Sequence, residues 1–134
     1  MTPRSRRLYT SDMRNRIVLV LAVMSLWLAT PRAFFHFELL KSSPAAKAVL
    51  TASPAHLQLW FSQVPAAGVS QLSLKNEQGD IALSKTTVEP KDKSMSADPV
   101  KPLTPGKYTI HWKGAGDDGH VQQGDIAFTI SANQ

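Results

Sequence analysis

The amino-acid sequence predicts an all-β domain, either a sandwich or a barrel, for the chain after residue 35. Two observations lead to this prediction. Short runs of alternating apolar and polar residues recur, separated by Pro, Gly, Asn and Asp, and no stretch has the spacing of a useful amphipathic helix. Period-two alternation places apolar side chains on one face of a strand. Several short strands with regular turns are typical of sandwiches and barrels.

Five stretches carry the strand pattern, and they are residues 56–61, 69–74, 81–83, 107–112 and 125–130. The last two are the clearest, because every second residue is large and apolar. Three prolines between residues 99 and 105 predict a loop or an edge before Gly106. Trp60 and Trp112 both lie within strand patterns, and we expect both to pack in the core.

The first 35 residues have a different character and predict a secretory signal segment. Five arginines lie within residues 1–16, and the apolar run at residues 17–29 follows them. A basic region, a short apolar region and a small residue near its end form the export pattern. The run is shorter than the roughly 20 residues of a membrane span, so cleavage is favoured over an uncleaved anchor. Residues 36–134 are then the exported domain.

Charge and cysteine content narrow the functional classes of that domain. The whole chain has a net charge of +5, but residues 36–134 contain nine basic and nine acidic residues. The basic character therefore belongs to the targeting segment, and no nucleic-acid partner is expected. The chain has no cysteine, which excludes disulfides, thiolate metal sites and cysteine nucleophiles.

Two of the four histidines lie in irregular segments and are candidate metal ligands. His120 follows a flexible acidic turn, and Asp118 is two residues before it. In an extended chain these side chains point the same way. The other candidate, His36, is 84 positions earlier. Imidazole and carboxylate donors suit Cu(II), Zn(II) or Ni(II), and among these ions Cu(II) binds with the highest affinity. The Asp-x-His motif by itself is also typical of a polar turn that binds no metal. His56 and His111 are interpreted as solvent-facing strand residues.

Five motifs occur in order over nearly the whole domain: His36-x-x-Leu39, Ser42-Ser43-Pro44-Ala45-Ala46, Pro54-Ala-x-Leu-x-Leu-x-Phe-Ser62, Leu103-x-Pro-Gly-x-Tyr-x-Ile-x-Trp112, and Asp118-x-His120 followed by Gly124 and Phe128. With these motifs the chain from His36 onward resembles the CopC family of exported copper-resistance proteins. The resemblance implies a Greek-key, immunoglobulin-like β-sandwich of about seven strands.

The same resemblance implies a function and a site. Family members carry or sequester copper in the periplasm, often beside a membrane copper importer of the CopD type. Their ligands map to His36, Asp118 and His120, with the first histidine supplying its α-amine as well as its imidazole. We therefore expect a periplasmic, monomeric Cu(II)-binding protein that is not an enzyme.

Two departures from the family pattern are visible in the sequence. An acidic residue often follows the Phe-Ser of the second motif, but here the position is Gln63. We expect a less negative site, with Gln63 able to hydrogen-bond a bound water. Some members also hold Cu(I) in a methionine-rich loop, whereas Met95 is the only methionine after residue 35. One thioether does not make that soft site, so we expect no Cu(I) site.

The position of signal cleavage decides how His36 binds copper. Cleavage after Phe35 leaves His36 at the amino terminus, but small residues are preferred before the cut. Cleavage after Ala33 begins the chain Phe34-Phe35-His36. An amine, two deprotonated amides and the His36 imidazole can then form a square-planar Cu(II) or Ni(II) site, which is our hypothesis for this form.

Two other functions are compatible with the sequence. One is a copper oxidase with an N-terminal histidine brace, which Asp118 as an anionic ligand disfavours. The other is a metal-free interaction module on the same fold. No motif for a hydrolase nucleophile, a phosphate loop or a zinc protease is present.

Overall fold

The alternating strands of the sequence build two β-sheets that enclose one hydrophobic core. The structure, a computed structural model, describes residues 36–132. The predicted signal segment at residues 1–35 lies outside the described residues. Within the described part there are nine strands: β1 (Leu39–Ser43), β2 (Val49–Leu50), β3 (Leu57–Phe61), β4 (Gln71–Asn76), β5 (Gly79–Ile81), β6 (Thr87–Glu89), β7 (Ser94–Ala97), β8 (Gly106–Ala115) and β9 (Val121–Ile130).

The strand order defines a four-stranded and a five-stranded sheet. The first sheet has the order β1-β3-β7-β6, and the second has the order β2-β9-β8-β4-β5. Pairing is antiparallel throughout, except between β2 and β9. Strands β8 and β9 form a long hairpin whose register runs from Gly106↔Ile130 to Ala115↔Val121. The hairpin loop, residues 116–120, therefore lies at one end of the sandwich. The predicted all-β sandwich is confirmed.

Side-chain alternation decides which residues form the core. In β3, Leu57, Leu59 and Phe61 are at most 2% exposed, while the residues between them are only partly buried. In the second sheet, Ile110 lies opposite Ile126 in the β8–β9 register, and both are buried. The two inner faces together contribute the main core: Phe37, Leu57, Leu59, Phe61, Leu72, Leu74, Met95, Ala97, Leu103, Tyr108, Ile110, Trp112, Ile126, Phe128 and Ile130. Burial of these apolar surfaces is the main force that stabilises the sandwich.

The four strands β1, β2, β6 and β7 were not predicted from alternation. Strands β2 and β6 have only two and three residues, too few for a period to be visible. Strand β7 reads Ser-Met-Ser-Ala, and its buried residues include the small polar Ser94 as well as Met95. Ser94 lies opposite Trp60 on the outer face, so the inward side chains of β7 are only Met95 and Ala97, and one large apolar residue gives too weak a signal. The sequence therefore indicated fewer strands than the nine observed here.

The two tryptophans lie on different faces of the sandwich. Trp112 is buried and makes edge-to-face contacts with Phe37 and Phe61 at centroid distances of 6.3 and 5.2 Å. Its expected core position is confirmed. Trp60 alternates with the inward residues of β3 and is only half-buried, with the Lys41 ammonium 4.6 Å from its ring centroid. The expectation that Trp60 packs in the core is wrong, because its neighbours Leu59 and Phe61 take the inward positions.

The proline-rich stretch before β8 forms no strand, as expected. Its one ladder contact is an isolated bridge between Leu83 and Pro99. The backbone amide of Leu103 is held instead by the Ser53 hydroxyl at 2.8 Å. In the part of the chain described here, there is no helix with the length and apolar character needed to cross a bilayer.

Candidate metal centre

The β8–β9 loop brings Asp118 and His120 together through a tight turn. The Gly119 amide donates to the Gly116 carbonyl at 3.1 Å, and Gly119 has a φ of 71°. This left-handed conformation is readily available to glycine. The sequence predicted that both side chains would point the same way from an extended segment. The structure brings them together in a turn instead, so the proximity is confirmed and its cause differs.

Both oxygens of the Asp118 carboxylate face His120. Oδ1 accepts a hydrogen bond from the His120 backbone amide at 3.0 Å, and Oδ2 lies 3.1 Å from His120 Nδ1. The Asp118 side chain is 28% exposed and the His120 side chain 82% exposed. The imidazole therefore stands at the surface, held from one side by the carboxylate.

The surroundings of Asp118 favour its ionised form. The hydrogen bond to the His120 side chain and the one from the His120 backbone lower the pKa of Asp118. Charge on His120 and on His36 lowers this pKa further, and partial desolvation opposes the effect. A Cβ atom at Gly116 would lie 3.2 Å from the Phe37 Cβ, so the start of the described chain passes beside this loop. A carboxylate ionised at neutral pH is the form that binds a cation.

His36 is positioned through its main chain and through the next residue. The Ser62 hydroxyl donates to the His36 carbonyl at 2.9 Å and accepts from the Glu38 amide at 3.0 Å. Phe37 is only 3% exposed and stacks on Phe61 with a centroid distance of 4.6 Å. His36 itself is exposed. The buried ring thus fixes the exposed histidine at the end of the sandwich that carries the β8–β9 loop.

The three predicted ligands do not form a closed site in this conformation. Within residues 36–132, no group of three or more His, Cys, Asp or Glu side chains is close enough to hold a metal ion. Asp118 and His120 are in contact, and His36 is held on the neighbouring segment by the bond from Ser62 to its carbonyl. The geometry is therefore a two-residue donor pair with a third donor nearby.

The two histidines interpreted as surface residues are exposed, and each also pairs with an aspartate. His111 Nδ1 lies 2.5 Å from Asp125 Oδ1 across the β8–β9 ladder. His56 Nδ1 contacts Asp98 Oδ1 at the start of β3, which is the opposite end of the sandwich from residues 116–120. Neither pairing was visible in the sequence, because each depends on strand register. Neither pair has a third candidate ligand beside it within residues 36–132.

Gln63 contacts the candidate site through the backbone of the β8–β9 loop. Gln63 Oε1 accepts a hydrogen bond from the Asp117 amide at 2.9 Å. The sequence pointed to this position because a carboxylate was expected there, and suggested a bond to water. The bond to Asp117 depends on the three-dimensional approach of two distant loops. Met95 is fully buried in the core, so its thioether is not available at the surface.

Comparison with known proteins defines the class of protein. The family model described as CopC domain matches residues 39–131. The chain belongs to the CopC family.

Three relatives are similar to most of this chain. The chain is 32% identical over 113 residues to protein YobA of Escherichia coli K12, covering 82% of this chain and 90% of YobA. It is 32% identical over 111 residues to copper resistance protein C of Xanthomonas campestris pv. juglandis, covering 77% and 86% of the two chains. It is 29% identical over 119 residues to copper transport protein CutJ of Bacillus subtilis, covering 87% of this chain but 22% of CutJ.

A solved structure agrees with the fold and the class. The crystal structure of PcoC, a methionine-rich copper resistance protein from E. coli, matches with a TM-score of 0.64 and 29% identity. The match covers 72% of this chain and 99% of PcoC. The relatives named for a function are named for copper resistance or copper transport, so the class has a copper-related role.

Proposed function

We propose that this chain binds Cu(II) through His36, Asp118 and His120, and carries or sequesters it in copper homeostasis. The observation that carries the proposal is the pairing of an ionised carboxylate with an exposed imidazole beside His36. Two imidazoles and a carboxylate form an N,O donor set, which favours Cu(II) among divalent ions. Copper is the cargo of such a protein.

The spacing of the donor pair fits two adjacent ligands of one metal ion. Metal bonds to imidazole nitrogen and carboxylate oxygen measure about 2.0–2.2 Å in proteins. Two such ligands at right angles are then about 3 Å apart. His120 Nδ1 and Asp118 Oδ2 are 3.1 Å apart. The separation of the two atoms therefore matches that of two neighbouring ligands of one metal ion.

The position of His36 supports its role as the third ligand. Its carbonyl is bonded to Ser62, and this bond does not use the imidazole. If the signal segment at residues 1–35 is removed after Phe35, His36 supplies its α-amine and its imidazole. If cleavage follows Ala33, the amine of Phe34 and two backbone amides accompany the imidazole. Both forms place copper at the same end of the sandwich, and the intact mass of the exported protein distinguishes them.

A carrier role is favoured over a histidine-brace oxidase. The Asp118 carboxylate lies beside His120, and as an anionic ligand it would occupy a coordination position that an oxidase needs open. The names of the relatives are those of resistance and transport proteins. We therefore propose a non-enzymatic Cu(II) protein.

The proposal includes a location and a partner. The signal pattern in residues 1–35 and the resemblance to exported copper-resistance proteins support the periplasm. The match to about a fifth of copper transport protein CutJ supports delivery to a membrane copper transporter of the CopD type, since a similar domain is part of that longer protein. We propose that the carrier is monomeric.

Competitive titration with a Cu(II) chelator tests the proposal. We expect the exported wild-type protein to bind one Cu(II), and His36→Ala and His120→Ala each to weaken binding by 10-fold or more. His111→Ala is the matched control, because it removes an exposed imidazole that also faces an aspartate. Equal affinities for the wild type and the His36/His120 double variant would refute the site.

A further inference from the structure

One short segment contacts both halves of the candidate copper site. This bridging segment, residues 62–66, follows β3 directly. At its start, the Ser62 hydroxyl donates to the His36 carbonyl at 2.9 Å. At its end, the Ala66 amide donates to the Ala115 carbonyl at 2.9 Å, where β8 enters the β8–β9 loop. Pro65 between them is fully buried. The bridging segment is therefore fixed to the core and to both ligand-bearing elements.

Gln63 makes the direct contact between the bridging segment and the ligand loop. Its Oε1 accepts from the Asp117 amide at 2.9 Å. Asp117 is the residue before Asp118, so this bond acts on the backbone that carries the candidate ligand. The neighbouring residue Ser62 bonds to the other half of the site, where its hydroxyl donates to the His36 carbonyl. Two consecutive residues thus bond to the backbone at or next to two candidate ligands, which are 82 positions apart in the chain.

The close approach of Gln63 depends on the absence of a side chain at position 116. A Cβ atom at Gly116 would lie 2.1 Å from Gln63 Oε1 and 3.2 Å from the Phe37 Cβ. Real Cβ atoms essentially never come as close as the first of these distances, so the Gln63 amide would have to move. The glycine therefore makes room for the hydrogen bond, and Gly116 itself is buried.

We infer that Gln63 is a positioning residue for copper binding, which holds the Asp118–His120 loop beside His36 through the Asp117 amide. This inference rests on the proposed Cu(II) site. The role needs a hydrogen-bond acceptor at Oε1 and does not need a metal-ligand bond or a negative charge. It explains how a neutral glutamine serves at a position where a carboxylate was expected. Ligands held in place before binding lose less freedom when the metal binds.

The size of the effect follows from the loss of one hydrogen bond. A neutral hydrogen bond to a backbone amide contributes enough to shift an equilibrium by about 3- to 10-fold. Gln63→Met keeps the length of the side chain and removes the acceptor, so we expect Cu(II) affinity to fall by about this factor. Gln63→Glu keeps an acceptor oxygen at the same distance along the side chain. We expect Gln63→Glu to bind Cu(II) at least as tightly as the wild type.

Coupling between the two ligands separates positioning from general stabilisation. In the wild-type background, His36→Ala removes a ligand that is already held beside His120. In the Gln63→Met background the two halves are less well aligned, so His36→Ala should cost a smaller factor in affinity. We expect the ratio of the two factors to be about 3 or more. A residue that only stabilises the fold would lower the melting temperature and leave this ratio at one.

Gly116→Ala tests the same contact from the other side. The added methyl group displaces the Gln63 amide, so Cu(II) affinity should fall about 3- to 10-fold in the wild-type background. In the Gln63→Ala background there is no amide to displace and only the 3.2 Å approach to the Phe37 Cβ remains, so the added loss should be much smaller. Gly68→Ala is the matched control, because a Cβ there meets no atom within 4 Å.

The experiment is a chelator-competition titration of the full exported protein and these variants, with melting temperatures measured without copper. The chemical shift and exchange rate of the Asp117 amide are followed by NMR in the copper-free samples. Wild-type affinity retained by both Gln63→Met and Gly116→Ala, or a coupling ratio of one, would overturn the positioning role and leave the copper site intact. Absence of Cu(II) binding by the wild type would instead overturn the proposed function, and the positioning role with it. If Gln63→Met does not fold, two other measurements decide the outcome. One is the loss of Cu(II) affinity caused by Gly116→Ala in the wild-type and Gln63→Ala backgrounds, and the other is the shift and exchange rate of the Asp117 amide in Gln63→Glu.

Discussion

Replacement of Phe37 by leucine connects the core directly to the copper site. The ring is 3% exposed, stacks on Phe61 and meets the edge of Trp112. It is also the residue after His36. Loosening this ring should therefore lower both the stability of the domain and the affinity for Cu(II), because the His36 segment is anchored by it.

The magnitude follows from the two ring contacts. Each aromatic pair contributes about 0.5–1.5 kcal/mol beyond its buried area, so Phe37→Leu should lower the free energy of unfolding by roughly 1–3 kcal/mol. Each kcal/mol lowers the melting temperature of a domain of this size by about 4–8 °C. Cu(II) affinity should fall by an additional 3-fold or more at temperatures where the domain stays folded.

Phe128→Leu is the matched control for this prediction. Phe128 is equally buried and stacks on Tyr108 at 5.4 Å, near the opposite end of the β8–β9 hairpin from the ligand loop. With one ring pair, it should lower the free energy of unfolding by about 0.5–1.5 kcal/mol, measured by scanning calorimetry, and leave Cu(II) affinity unchanged. Equal losses of affinity in both variants would refute the argument that Phe37 acts by anchoring His36.

Three further predictions concern groups outside that anchor. The pKa of Asp118 is lowered in the folded protein, so its carboxylate stabilises the metal-free fold at pH values above the unfolded-state pKa of about 3.9 and loses this effect as the pH falls through the folded-state pKa. In denaturant unfolding, Asp118→Asn should therefore lower the free energy of unfolding more at pH 7 than at pH 2. An equal loss of free energy at both pH values would contradict this. His56→Ala should change the free energy of unfolding by less than about 1 kcal/mol, because the His56–Asp98 pair is exposed, and leave Cu(II) affinity as it is. Met95→Leu should cost under about 1.5 kcal/mol and leave any measured Cu(I) binding unchanged, since the thioether is buried; a loss of Cu(I) binding would show that the thioether is a ligand.

The fold was largely predictable because the core strands alternate strictly. Tyr108, Ile110 and Trp112 in β8 face the core, as their spacing indicates. The short strands β2 and β6 and the serine-containing β7 carry too little periodic signal. Their pairing is decided by the surface that the long strands present. Trp60 shows the same limit, since its outward position follows from its neighbours and not from its hydrophobicity.

The candidate site was predictable only in part, for a different reason. Asp118 and His120 are near in sequence, so a short motif reveals them. His36 is brought near by the Phe37 anchor and by Ser62, which a single sequence does not disclose without a family resemblance. The Gln63–Asp117 bond and the space at Gly116 are properties of two loops in contact, and neither loop alone contains a signal for them.

The copper position in crystals of the exported protein tests the central claim most directly. Anomalous diffraction at the copper edge locates the metal without any assumption about its ligands. We expect one copper ion bound by His36 and His120 nitrogens and an Asp118 oxygen, at distances of about 2.0–2.2 Å. Copper bound instead at His56–Asp98 or His111–Asp125, or no ordered copper in crystals grown with one equivalent, would contradict it.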